Sequence, residues 1–176
     1  FTLTESSKKG RLLHEFTAQS GNVVVSMNLK TPAENNGKLS IKLRQGPKDS
    51  GNAASYVFVQ NSQIYASGNS FQNITTPGAW FNLKMIFDAD TKTYNVFKDH
   101  KLVNPAPIGY DAIPDALGSI VFEMENAGTW YMDDLKIQKV LDAKEAYTTV
   151  FSEDFDHGFS IAQKDAETVS GGWKYG

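Results

Sequence analysis

Apolar and polar residues alternate one by one in four separate stretches of this chain, and that period of two is the strongest constraint on its fold. In "NVVVSMNLK", Val23, Val25, Met27 and Leu29 fall on one face and Val24, Ser26, Asn28 and Lys30 on the other. "KLSIKLRQ" sets Leu39, Ile41 and Leu43 against Ser40, Lys42 and Arg44, and "SIVFEMEN" sets Ile120, Phe122 and Met124 against Glu123 and Glu125. In "AWFNLKMIFD", Phe81, Leu83, Met85 and Phe87 oppose Trp80, Asn82, Lys84 and Ile86. Side chains of a strand point alternately to its two faces, so each stretch reads as a half-buried strand.

Between the strands lie "PAENNGK", "GPKDSGN", "ASGNS", "DADTKT" and "KDHK", rich in the Gly, Asn, Asp and Pro that tight turns require. Strands at this spacing predict an all-β chain, a two-sheet antiparallel β-sandwich. Val25, Met27, Leu39, Ile41, Leu83, Met85, Phe87, Ile120 and Phe122 are its expected core. Only "DAKEAYTTV", residues 142–150, has room for a helical turn or two, and its Thr-Thr-Val end favours a return to extended chain.

The chain has 176 residues, enough for one domain with a single core and no covalent staples. Its net charge of −3, from 17 basic and 20 acidic residues, argues against affinity won by neutralising phosphates, so no nucleic-acid partner is expected. Without cysteine there are no disulfides, thiol nucleophiles or Cys-based zinc sites, an absence that suits a cytosolic protein and a secreted bacterial one equally. No apolar run approaches the roughly 20 residues of a bilayer span, and no membrane partner is expected. The opening Phe1 implies that any targeting segment has been removed.

"AWFNLKMIFDADTKTYNVFKDHKLV" followed by "LGSIVFEMENAGTWYMDDLKI" resembles the second half of the concanavalin A-like, laminin-G-like β-sandwiches found in bacterial polysaccharide-degrading enzymes. In that family a Trp opens a strand, an Asp ends it, a hairpin like "DTKTY" follows, and a "YxDDxxI" strand closes the domain. The pattern covers roughly residues 22 to 138. The family's opening signature, a "DFxxG" strand with a Gly-Trp and a turn, is similar to "EDFDHGF" and "GGWKYG", yet here it comes last. The resemblance implies a sandwich domain of jelly-roll type over residues 1–140, a linker over 141–149, and an opening-strand segment over 150–176. That segment either starts the next repeat of a tandem array or supplies missing strands to this sandwich. Docking, on its own sandwich or by strand exchange with a neighbour, is the favoured reading, because Phe151, Phe155 and Phe159 would otherwise be exposed beside unpaired backbone.

Docking beside the "YMDDLKI" strand would bring Asp133 or Asp134 near Glu153, Asp154 and Asp156. Gathered carboxylates repel unless a cation bridges them, and Ca²⁺ takes six to eight oxygens, so a structural Ca²⁺ is one expectation. The plainer one is that these acids cap turns and face water.

Catalytic patterns are sparse. Glu123 and Glu125 share a strand face with side chains roughly 6 to 7 Å apart, near the spacing used in glycoside hydrolysis. Met124, however, stands where sandwich glucanases carry an Asp between the two glutamates. His14, His100 and His157 are scattered without metal-ligand spacing, and His100 falls in a turn position. The expectation is a chain with no catalytic residues and no enzymatic activity as an isolated module.

Sugar binding needs exposed aromatics to stack on pyranose faces and polar neighbours to bond hydroxyls. Trp80, Tyr56, Tyr65, Trp130 and Tyr131 are the candidates, with Gln60 beside them in the amide-rich stretch "YVFVQNSQIYASGNSFQN". The leading expectation is therefore a noncatalytic carbohydrate-binding module of a secreted, multimodular bacterial protein that acts on polysaccharide. A structural or adhesive repeat of a cell-surface protein and a sandwich hydrolase or polysaccharide lyase are the alternatives.

Overall fold

The computed structural model describes residues 2–5, 10–31, 33, 37–46, 53–125, 128–141, 147–155, 168–169 and 173–175. Among these the chain is all-β, and its strands form two antiparallel sheets. The first sheet contains β1 (Thr2–Glu5), β3 (Val23–Lys30), β8 (Trp80–Asp88), β9 (Thr93–Lys98), β10 (Lys101–Leu102), β11 (Ile108–Gly109), β13 (Gly128–Val140) and β14 (Tyr147–Glu153). Its main order is β1-β13-β3-β8-β9-β10, with β11 on β9 and β14 on β13. The second contains β2 (Gly10–Gln19), β4 (Lys38–Arg44), β5 (Ala53–Gln60), β6 (Gln63–Ala66), β7 (Asn69–Ile74), β12 (Leu117–Glu125), β15 (Thr168–Val169) and β16 (Trp173–Tyr175). Its order is β15-β16-β2-β12-β4-β5-β6-β7.

The inner faces of the two sheets make one core. Val23, Val25, Met27 and Leu29 of β3, Leu83, Met85 and Phe87 of β8, and Ile41 and Leu43 of β4 are fully buried in it, and Phe122 and Leu39 nearly so. All nine core positions expected from the alternation are buried. Phe87 stacks on Tyr94, their ring centroids 5.3 Å apart.

Strand β13 explains why two acidic residues stand side by side inside a strand. Trp130 and Met132 point into the core, and so do Leu135 and Ile137, which requires one extra residue between the pairs. The register shows it: Asp133 faces Asn28 and Lys136 faces Ser26, so three steps along β13 match two along β3. Asp134 takes the left-handed conformation, φ 51°, that Asp and Asn tolerate better than most residues. Asp133 Oδ1 accepts the Asp134 N–H at 2.8 Å, and Asp134 Oδ2 accepts the Asn28 side-chain amide at 3.0 Å. The acids are thus the residue types that make a β-bulge cheap.

Strands from the C-terminal segment lie on both sheets. Strand β14 runs antiparallel to β13, with Leu135 opposite Glu153 and Val140 opposite Tyr147. Residues 147–149, expected in a linker, are therefore strand, while residues 142–146 and Phe159 lie outside the described residues. Strand β16 runs antiparallel to β2, with Trp173 opposite His14. Between the sheets the buried His14 ring stacks on Phe151 at 3.8 Å, and Phe155 joins the core.

Candidate functional site

The outer face of the second sheet carries an ordered grid of side chains. Arg11, Glu123, Ser40, Phe58 and Tyr65 are in register across β2, β12, β4, β5 and β6. In the next row Leu13, Val121, Lys42 and Tyr56 align. Outward positions in β4 hold Lys38, Ser40, Lys42 and Arg44 because the inward ones are taken by Leu39, Ile41 and Leu43.

Aromatic rings brace one side of this grid. Phe58 and Tyr65 stack nearly parallel with centroids 4.5 Å apart, and Tyr56 tilts against Phe58 at 5.3 Å. Lys38 Nζ sits 4.5 Å from the Phe58 centroid and 5.2 Å from that of Tyr56, and Lys42 Nζ is 5.1 Å from Tyr56. Such cation–π contacts hold the two ammonium groups against the ring faces.

Ion pairs fix the other side. Glu123 lies between Lys42, which contacts it directly, and Arg11, whose Nε is 3.8 Å away. Lys38 Nζ pairs with Glu125 at 3.3 Å. Burial alone lowers the pKa of Lys38, but the Tyr56 hydroxyl and Glu125 outweigh it and hold the ammonium above its ordinary range. Arg44 is largely covered; burial, then the neighbouring Arg11, push its guanidinium downward, and Glu123 partly offsets them.

These side chains surround a depression of about 520 Å³, lined by Arg11, Lys42, Arg44, Ala53, Tyr56 and Glu123 and rimmed by Ser67, Gly68 and Asp111. The rim is tied to the sandwich. The Ser67 N–H donates to the Tyr56 carbonyl at 3.2 Å, and its hydroxyl meets that of the buried Tyr94 at 2.9 Å. Burial chiefly pushes the Tyr94 hydroxyl to about 12, so it is a neutral hydrogen-bonding group. Gly68, at φ 78°, lets the chain turn there. Asp111 is placed by its own N–H, which donates to the Ala54 carbonyl at 3.1 Å.

The residues singled out in the sequence separate into distinct places. Tyr56 lines the depression, and Tyr65 stands behind it in the aromatic row, hydrogen-bonded to Gln63 at 3.1 Å. Gln60, opposite Gln63, lies outside the depression. Trp80 and Tyr131 come together on the outer face of the first sheet, with centroids 6.4 Å apart. Trp130 does not bind at either surface: it is 3% exposed and part of the core, because alternation along β13 turns it opposite to Tyr131. Glu123 and Glu125 sit on the gridded face, each against a cation.

Asp133 and Asp134 occupy the bulge, where Lys136 also approaches Asp134 at 3.7 Å. Glu153 Oε1 accepts the Phe155 N–H at 3.0 Å, Asp154 follows it, and Asp156 lies outside the described residues. Among the described residues no three acidic or histidine side chains are grouped so as to hold a metal ion. His100, at φ 64°, is a turn residue between β9 and β10.

Sequence reasoning placed Lys42, Arg44 and Glu123 outward but missed the site they form with Arg11, Lys38 and Phe58. Alternation gives each strand's face, whereas the depression depends on which strands are neighbours. Phe58 was hidden within "YVFV", whose nearly continuous apolar run has no readable phase.

No protein-family model matches the sequence, and no curated protein sequence does. Solved structures with the same fold do exist. A sialidase matches over 78% of this chain with TM-score 0.66 and 14% identity, and the match covers 15% of the sialidase. A structure of botulinum neurotoxin type C, whose cell entry depends on interaction with two ganglioside molecules, matches over 82% of this chain and 40% of its own, with TM-score 0.56 and 14% identity. The carbohydrate recognition domain of Emp46p, in its potassium-bound form, matches over 75% of this chain and 78% of its own, with TM-score 0.51 and 12% identity. At these identities the likeness is one of fold, a lectin-like β-sandwich.

Proposed function

We propose that the chain is a noncatalytic carbohydrate-binding module, that it holds an oligosaccharide or polysaccharide segment in the depression on the second sheet, and that it belongs to a larger secreted protein acting on polysaccharide. The observation that carries the reading is the depression itself. One aromatic side chain, Tyr56, stands among polar groups already fixed by ion pairs, in a volume within the usual range for small-molecule sites. Tyr56 supplies the apolar surface for a sugar ring, while Arg11, Lys42, Arg44, Glu123 and Asp111 supply donors and acceptors for its hydroxyls. Because these groups are held before ligand arrives, little ordering cost falls on binding.

Two further points support it. Solved structures of the same fold include a carbohydrate recognition domain, a toxin that engages gangliosides and a sialidase of which the match covers only a small part. Hydrolysis by paired carboxyls requires one of them to donate a proton, and here Glu123 and Glu125 are engaged with Arg11, Lys42 and Lys38 instead.

A glycan array followed by affinity electrophoresis in gels containing the retained polysaccharides tests the proposal. Tyr56→Ala is expected to weaken retention at least about tenfold, the equivalent of roughly 1.4 kcal/mol of lost contact. Wild-type and Tyr56→Ala chains of equal stability and equal retention would overturn it. So would release of reducing ends or unsaturated products by the purified wild-type chain.

A further inference from the structure

The first sheet presents a different arrangement on its own outer face. Trp80, Lys30 and Tyr131 form one cross-strand row over β8, β3 and β13. Trp80 is 51% exposed and Tyr131 36%, and their rings meet at 60°. Lys30 Nζ lies 5.0 Å from the Tyr131 centroid and props that ring in place.

Two positions further along the same strands runs a polar ladder. The Asn82 side-chain amide donates to Asn28 Oδ1 at 3.0 Å, the Asn28 amide donates to Asp134 Oδ2 at 3.0 Å, and Lys136 approaches Asp134 Oδ1 at 3.7 Å. Asp134 and Lys136 are each about half exposed. Asp134 reaches the ladder from the bulge, next to Asp133, the register partner of Asn28.

From this juxtaposition we infer that Trp80 and Tyr131 form a second sugar site, which takes one pyranose ring on its aromatic faces and directs the ring's hydroxyls toward the Asn82–Asn28–Asp134 ladder. The size of the patch selects this occupant. Its two rings expose roughly 200 Å² together, if a whole aromatic side chain offers 150–250 Å². A stable protein partner needs about 800 Å² on each side, whereas a single sugar ring needs no more than the patch offers. A strand pitch of about 3.4 Å per residue sets the ladder roughly 7 Å from the aromatic row, within reach of the hydroxyls of a ring that rests on Trp80. The site lies on the opposite side of the sandwich from the Tyr56 depression, so the module would be bivalent and able to bridge two polysaccharide chains.

The test uses the full chain on the same glycan array, with Trp80→Ala, Tyr131→Ala and Tyr56→Ala compared after thermal melts have shown each to be folded. Trp80→Phe serves as the conservative control. Trp80→Ala and Tyr131→Ala should each weaken retention on at least one glycan tenfold or more, Trp80→Phe should restore part of it, and Tyr56→Ala should leave that component in place. Retention unchanged by Trp80→Ala across the array overturns the second site, even if Tyr56→Ala abolishes binding. Conversely, a Trp80-dependent signal that ignores Tyr56 would sustain the second site and remove the first. Concentration-dependent dimerisation that disappears in Trp80→Ala, seen by sedimentation, would also overturn it by assigning the patch to a second copy.

Discussion

Deleting Asp133 and Asp134 together makes Met132 and Leu135 neighbours in β13, which cannot both face the core; losing Asp134 alone would leave only Asp133 between them and restore regular alternation. Upstream of the bulge Trp130 and Met132 face the core; downstream Leu135 and Ile137 do, and both are fully buried. Shortening the strand by these two residues forces a choice. Either Leu135 and Ile137 rotate to the surface and put Lys136 in the core, or the register slips along β3 and β14 together. Exposing two fully buried aliphatic side chains costs about 1.5–3 kcal/mol each, so the double deletion should cost about 3–6 kcal/mol. That is a large part of the roughly 5–15 kcal/mol that holds an ordinary domain together. Asp134→Asn keeps both the tolerance for positive φ and a partner for Asn28, and should cost under about 1 kcal/mol; Asp134→Val, β-branched at φ 51°, should fall between, at about 1–2 kcal/mol. Equilibrium urea unfolding of the three variants measures the series. A double deletion that costs less than about 1 kcal/mol, or an Asn variant as damaging as the double deletion, would refute the bulge as the reason for the acidic pair.

Other consequences follow from single residues. Asp88 closes the β8–β9 turn by accepting the N–H groups of Asp90 at 2.9 Å and Thr91 at 3.0 Å, and these bonds, the one from Thr91 foremost, hold its carboxyl below the ordinary range. Asp88→Ala should therefore cost about 1–2 kcal/mol at neutral pH. The contribution should be fully present above the unfolded carboxyl value, about 3.9, and fade as pH falls through the lower folded value, so wild type and variant converge in acid melts. A gap that stays constant down to strongly acidic pH would contradict this. At Gly118 an added Cβ would come within 2.9 Å of the Gln45 carbonyl oxygen, a backbone atom that cannot swing aside. Gly118→Ala should cost about 1–3 kcal/mol in the same urea assay, and a neutral result would show that the strand shifts freely there. Because hydrogen bonds of the bulge account for Asp133 and Asp134, melting midpoints in EDTA and in millimolar Ca²⁺ should agree. A rise of several degrees with Ca²⁺ would instead indicate a cation bound to the folded state.

The sandwich was legible because burial on one face writes itself into sequence as a period of two. Val25, Ile41, Met85 and Phe122 are each read correctly from their immediate neighbours. The depression was not legible in the same way. Arg11 meets Glu123 across a strand pair separated by more than a hundred residues, and nothing local states that pairing. Trp80 and Tyr131 were readable as individual outward aromatics, but their meeting depends on β3 lying between β8 and β13. Trp130 was misread because the bulge that starts three residues later hides which phase of "GTWYMDDLKI" faces inward. The Asp133–Asp134 pair looked like half of a cation site, since carboxylates carry the same letters whether they bind metal or satisfy backbone at a bend.

Sugar is proposed to bind on the outer face of the second sheet. Backbone amide shifts recorded by NMR during titration with the oligosaccharide best retained on the array test it most directly. Shifts should concentrate on the strand residues around Arg11, Lys42, Tyr56, Glu123 and the Ser67–Gly68 turn, and Tyr56→Ala should remove them. Shifts confined to other surfaces, with the residues around Tyr56 unmoved at saturation, would contradict it.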